Sequence, residues 1–302
     1  MPSLTRHALL PVLALAVVAC SSSGASPSSG GSATPPPSAP AASPSPSAAP
    51  VGAIDHATGA KDVLLRYDVG GGLMMAGFSA SQTPIFTLYG DGTVVFRNQM
   101  QPPMPQIGSV APMTPLRTAR LSEEQIQAVL EEALGQAGLG VARENYENPM
   151  IADAGSTTFT IDAGGVDKTV SIVALGGDTQ GVPDAIARAN FQKLAEHLAD
   201  FDLGGTVPTD VYAPAAYRAI LMDGTGQVGA VAWPWTTLKP ADFSFPADPN
   251  AFQLGTKTIG QADVDALALG AVPGGFQGMV VTGPDSKVYA LALRPLLPDE
   301  TE

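Results

Sequence analysis

A run of thirty residues, positions 21–50, uses only Ser, Pro, Ala, Gly and Thr. None of these side chains is large and apolar, so nothing in the run can offset the entropy of ordering a chain. The run therefore divides the sequence, and a core has to be built from the residues that follow it. As a flexible coil it spans roughly 30 Å between its ends, and a Pro-rich half stiffens it. Pro35-Pro36-Pro37 lies in that half. The run reads as a disordered linker or stalk, and its Ser/Thr/Pro content permits O-glycosylation.

Arg6 is the only charged residue before Asp55, and it precedes an unbroken small or apolar run from Ala8 to Ala19. A charged start and a short apolar run have the layout of a secretory signal. Twelve helical residues reach roughly 18 Å, well short of the ~30 Å hydrocarbon core of a bilayer. The run ends in Val17-Val18-Ala19-Cys20. This string resembles the bacterial lipobox, with Val in the first position where that pattern usually has Leu. The resemblance implies that residues 1–19 are a signal peptide and that Cys20 is the lipidation site, bearing palmitate-class acyl chains. Residues 20–54 are then lipid-anchor cysteine and linker. Two or more chains, each contributing ~0.8 kcal/mol per buried CH₂, make a stable anchor. The expected location is the extracytoplasmic face of the cell membrane.

The chain has 302 residues, and its 45% apolar content suffices for a core. Cys20 is the sole cysteine, so an intrachain disulfide is excluded and the head relies on packing. Against 28 acidic residues there are 15 basic ones, or 14 once Arg6 is removed with the signal, a net −14. Such a surface is repelled by a phosphate backbone and disfavours anionic headgroups. Nucleic acid is not an expected partner.

The folded part begins near Asp62. Val63 to Val69 reads as a strand stopped by Gly70-Gly71-Gly72. Ile85–Tyr89 and Thr93–Arg97 flank Gly90-Asp91-Gly92, a hairpin signal because Gly and Asp tolerate positive φ. Ser122 and Gln125 form a capping box, with Leu121 and Ile126 as its hydrophobic staple. Ile126, Val129, Leu130, Ala133 and Leu134 then mark an amphipathic helix ending near Gly135–Gly138. A second hairpin joins Thr157–Ile161 to Lys168–Val173. Pro183 opens a helix with Ala187, Phe191, Leu194, Leu198 and Phe201 on its stripe, stopped by Gly204-Gly205. A third hairpin is expected between Tyr217–Met222 and Val228–Trp233. A short helix is expected over Val264, Leu267, Ala268 and Ala271, capped by Thr258 and Gln261. The last hairpin joins Met279–Thr282 to Lys287–Leu293. Four antiparallel hairpins interleaved with about three helices give an α+β class. Residues 55–205 and 206–302 form two subdomains or one larger unit; both arrangements stay open.

Several strings are familiar: Phe86-Thr87-Leu88-Tyr89-Gly90-Asp91-Gly92-Thr93-Val94-Val95, the Gly-rich stretch before it, and Leu293-Arg294-Pro295-Leu296-Leu297-Pro298. With the lipobox-like start, the chain resembles a family of uncharacterised bacterial secreted lipoproteins across most of residues 60–298. The resemblance implies the address and carries no activity.

Reactive constellations are scarce. Gly224-Thr225-Gly226-Gln227-Val228-Gly229 matches G-x-G-x-x-G, but a β-like segment broken by Pro234 follows where a nucleotide site needs a helix; a hairpin turn is the expectation. After signal removal the histidines are His56, at the linker edge, and His197, on the solvated side of a helix. Too few ligands remain for zinc, and G-x-S-x-G, S-x-x-K and an EF-hand loop are absent. Asp153, Asp162, Asp242 and Asp263 fall in turns or helix starts, where Asp makes local hydrogen bonds. Met100, Met104 and Met113 punctuate a Pro-rich loop, with Met74 and Met75 upstream. Thioethers can bind Cu(I) or simply fill gaps. Trp233 and Trp235 either pack in a core or edge, or present a recognition surface.

The leading expectation is a non-enzymatic binding or interaction module without cofactor or metal. It would be tethered through Cys20 and face an envelope or extracellular protein or glycan. Its surface is expected at residues 98–116 and 233–236, including Met100, Met104, Trp233 and Trp235. Alternatives are a cell-envelope hydrolase with a divergent site and copper handling through methionines.

Overall fold

Alternating apolar positions and glycine turns build two sheets, and the two longest helices pack on one of them. The computed structural model describes residues 52–72, 76–177, 181–248 and 251–300, all within the compact unit Ala49–Glu302. Cys20, the signal and the linker to residue 51 lie outside the described residues, as do Met74 and Met75.

The strands in chain order are β1 (Val63–Gly71), β2 (Phe86–Tyr89), β3 (Thr93–Phe96), β4 (Ala111–Pro112), β5 (Arg117–Arg120), β6 (Asn145–Tyr146) and β7 (Gly155–Ala163). They continue with β8 (Val166–Val173), β9 (Asp210–Val211), β10 (Tyr217–Asp223), β11 (Val231–Ala232), β12 (Gly255–Ile259), β13 (Phe276–Thr282) and β14 (Val288–Pro295). The helices are α1 (Ala76–Ser81), α2 (Glu123–Glu131), α3 (Ala185–Ala199) and α4 (Gln261–Asp265).

The first sheet runs β6-β8-β7-β1-β2-β3-β5-β9 and the second β11-β13-β14-β10-β12, with β4 on β13. All pairs are antiparallel except β6 with β8 and β11 with β13. The class is α+β. β4 and β9 each join the sheet built mainly by the other half of the sequence.

Three hairpins form where turn chemistry announced them. Between β2 and β3, Gly92 takes φ +86° and its N–H donates to Tyr89 O at 2.9 Å. Between β7 and β8, Gly164 and Gly165 take φ +61° and +74°, the two positive angles of a two-residue turn that matches strand twist. β13 and β14 close at Thr282 and Val288. The expected hairpin after β10 does not form. β10 lies between β12 and β14, and Val231–Ala232 instead runs parallel to β13. The Gly224–Gln227 turn is present, but it leads into a loop.

α2 carries the capping box in full, with Ser122 Oγ accepting from Gln125 N and Gln125 Oε1 from Ser122 N. Its expected tail, Ala133 and Leu134, falls in a π turn spanning Glu132–Gln136. α3 starts after Asp184 and ends at Ala199, so Pro183 precedes the cap and Gly204-Gly205 lies past the stop. α4 is capped by Gly260; Thr258 belongs to β12, and Leu267, Ala268 and Ala271 lie beyond the helix end.

α2 and α3 bury Ile126, Leu130, Phe191, Leu194 and Leu198 against Leu65, Phe86, Phe159 and Ile172 of the first sheet. A second core holds Tyr217, Leu221, Trp235, Phe276, Val281 and Leu291. A third cluster of Tyr89, Val95, Leu116 and Leu297 ties the segment after β14 to strands of the first sheet. No helix among the described residues is long and apolar enough to cross a membrane.

Candidate functional site

A cleft of about 640 Å³ opens at the end of the first sheet, bounded by β1, the approach to β2, the exit of β3, the start of β7 and one side of α3. Backbone bonds fix its walls. Ile85 N–H donates to Tyr67 O at 2.9 Å, Arg97 N–H to Ile85 O at 2.8 Å, and Gln99 N–H to Ala199 O at 3.1 Å. The rim is glycine-rich for a geometric reason. Gly72 sits at φ +70°, and a Cβ there would lie 3.0 Å from both Asp153 O and Gly155 N. A side chain would be strained by the backbone angle and pressed against the opposite rim.

Val69, Phe78, Ile85 and Leu175 give the cleft apolar walls, while Gln82, Gln99 and Gln192 supply amides. Tyr67 stacks on Phe159 at 5.2 Å between ring centres. Burial, then the neighbouring Asp68 charge, pushes its phenol pKa up, so it is a neutral donor.

Arg97 is the distinctive group. It leaves β3 half-buried, and its Nη2 donates to Thr83 Oγ1 at 3.1 Å. Its Nε is buried with no acceptor. Burial pushes its pKa down to about 10. The Nε atoms of Arg188 and Arg218 are likewise buried without an acceptor, so the Nη partners set the arginines apart. Arg66, Arg120, Arg143 and Arg294 face carboxylates, and Arg117 bonds to Thr209. Arg188, only 2% exposed, gives Nη hydrogens to the carbonyls of Val173, Tyr146 and Glu147. Arg97, Arg117, Arg188 and Arg218 make no ion pair among the described residues, and Arg117 and Arg188 are satisfied by hydroxyl or carbonyl oxygens instead. An unneutralised, partly desolvated guanidinium is costly, and an anion beside it removes that cost. Asp153 and Glu196 also line the cleft, so its charge is mixed.

The residues singled out by sequence lie elsewhere. Trp235 is 6% exposed and its Nε1 donates to Asp263 O at 2.8 Å; the Trp233 Nε1 donates to Leu238 O at 2.7 Å. Their rings meet edge to face at 5.2 Å, beside Phe243 and Tyr289. Trp235 packs in the second core and Trp233 lies half-buried at its edge, with the polar edge of each satisfied internally. Met100 is 74% exposed and Met104 is also exposed. Met113 is half-buried, its sulphur 4.0 Å from Gln277 Nε2.

His56 Nδ1 lies 2.7 Å from Ala57 O and its Nε2 3.2 Å from Glu123 Oε1. His197 is half-buried rather than fully solvated, 2.7 Å from Glu132 Oε2 and stacked near Phe201. Asp242 Oδ2 accepts from Lys239 N, whereas Asp162 sits inside β7 rather than in a turn. Among the described residues no group of three His, Cys, Asp or Glu side chains is placed to hold a metal ion.

No protein-family model, curated protein or solved structure matches this chain. The geometry of the cleft therefore carries the functional reading. Arg97 escapes a sequence search because an arginine at the end of a short strand looks like any solvated strand terminus.

Proposed function

We propose that this chain is a lipid-anchored extracytoplasmic protein whose folded head binds a small ligand in the cleft at the Gly-rich end of the first sheet. The membrane attachment is through acylated Cys20, with residues 21–50 as the tether. The single observation that carries the binding role is a cleft of about 640 Å³ whose walls mix apolar side chains, amides and one guanidinium without a counter-ion among the described residues. Concave sites with apolar walls and a few convergent polar groups are the usual form of a small-molecule site. We read the site as a binding site on the strength of its apolar walls and convergent polar groups. The resemblance to secreted lipoproteins agrees with the address.

A saturation-transfer fragment screen on the full chain tests the reading. Fragments that bind should lose binding in Gln192→Trp, which places an indole on the cleft rim from an accessible helix position. Hits unaffected by that substitution, or an absence of hits, would contradict the cleft as the ligand site.

A further inference from the structure

The chemistry of the cleft narrows the ligand class, an inference that rests on the cleft being a binding site. We propose that the cleft takes a small monocarboxylate with an apolar body, the carboxylate held by the guanidinium of Arg97. Three observations converge. Among the described residues the Arg97 guanidinium pairs with no carboxylate, and the one hydrogen bond of its side chain goes to Thr83 Oγ1. The guanidinium fork matches the two oxygens of a carboxylate. The cleft walls include Ile85, which accepts from Arg97 N, together with Val69 and Phe78, and these suit an alkyl or aryl body.

The same lining argues against a more highly charged anion. Among the described residues Arg97 is its single cation, and Asp153 and Glu196 add negative charge. A phosphate dianion would set two negative charges against that one guanidinium. Arg188 supplies the internal comparison: its Nε is also buried without an acceptor, but its Nη atoms donate to three backbone carbonyls that close a structural site. Arg97 has no such set, so its cost in the empty protein is offset only when a ligand arrives. It follows that Arg97→Met should leave the fold at least as stable while removing the ligand, the signature of a functional residue.

The test uses the full chain carrying Cys20→Ser, which dispenses with detergent. Benzoate and hexanoate are titrated by calorimetry, with benzyl alcohol, hexanol and inorganic phosphate as comparisons, and the Arg97 Nε–H resonance is followed. Binding of a carboxylate should move that resonance. Arg97→Met should weaken the carboxylate about tenfold or more, the factor lost with a charge-assisted hydrogen bond, with no fall in melting temperature. Arg97→Lys, which keeps the charge and loses the fork, should retain part of the affinity. Alcohols binding as tightly as the acids would overturn the carboxylate while leaving the cleft as a ligand site, and so would phosphate binding more tightly. Failure of every probe would overturn both. Carboxylate binding unchanged in Arg97→Met, with a lower melting temperature, would make Arg97 structural and end the proposal.

Discussion

Tyr89 and Asp299 are 210 residues apart in sequence, and the phenol hydroxyl donates to the carboxylate at 2.6 Å. The same oxygen accepts from Arg66 Nη2 at 2.8 Å. Tyr89 is fully buried, and Leu297 packs in its cluster. The segment after β14 is therefore latched onto the first sheet by one carboxylate shared between a phenol and a guanidinium. Asp299→Ala leaves the buried hydroxyl without its acceptor and Arg66 without its counter-ion. The expected cost is about 2–4 kcal/mol, read by urea denaturation, with Asp299→Asn costing less because the amide oxygen still accepts from Tyr89.

The latch also sets an acid sensitivity. Burial pushes the Asp299 carboxyl up, but hydrogen bonds from Tyr89 and Arg66 and the Arg66 charge outweigh it and hold the pKa below its ordinary value. A carboxyl depressed in the folded state stabilises fully above its unfolded pKa, and that stability is lost as pH falls through the folded value. Wild type should therefore lose more stability than Asp299→Asn between about pH 6 and pH 3. Parallel stability curves for the two proteins would contradict the latch.

Gly72→Ala tests the rim of the cleft. At φ +70°, with rim backbone atoms 3.0 Å from the added methyl, an alanine meets both strain and contact. A loss of about 1–2 kcal/mol is expected in thermal or chemical unfolding. Gly108→Ala is a control for backbone angle alone, since its φ is +62° with nothing within 4 Å. It should cost less.

The anchor makes a separate prediction. In cells, Cys20→Ser should shift the protein from membrane to soluble fractions and remove the acyl mass from the mature protein. Retention in the membrane fraction would count against the thiol as the attachment point.

What the sequence disclosed follows the range of the forces involved. The β2–β3, β7–β8 and β13–β14 hairpins were legible because Gly92, Gly164 and Gly165 write the turn into a few neighbouring residues. The α2 cap was legible for the same reason, through Ser122 and Gln125. The partners of β10 were hidden, because its pairing with β12 and β14 spans a long loop and leaves no local mark. Asp-Gly at positions 223–224 therefore pointed to a hairpin that a more extensive pairing displaces. On α3 the apolar stripe was read correctly at Phe191, Leu194 and Leu198, but Arg188 also lies on the buried side, where carbonyls satisfy it. The candidate site was least legible, since Arg97 gains its character only from what β1, β7 and α3 fail to offer it.

The most direct measurement is a crystal structure of the full chain carrying Cys20→Ser, grown with benzoate. The account expects the carboxylate within hydrogen-bond distance of the Arg97 guanidinium and the ring against Val69, Phe78 or Ile85. A benzoate-free cleft, or Arg97 turned to pair with a carboxylate of the protein itself, would contradict it.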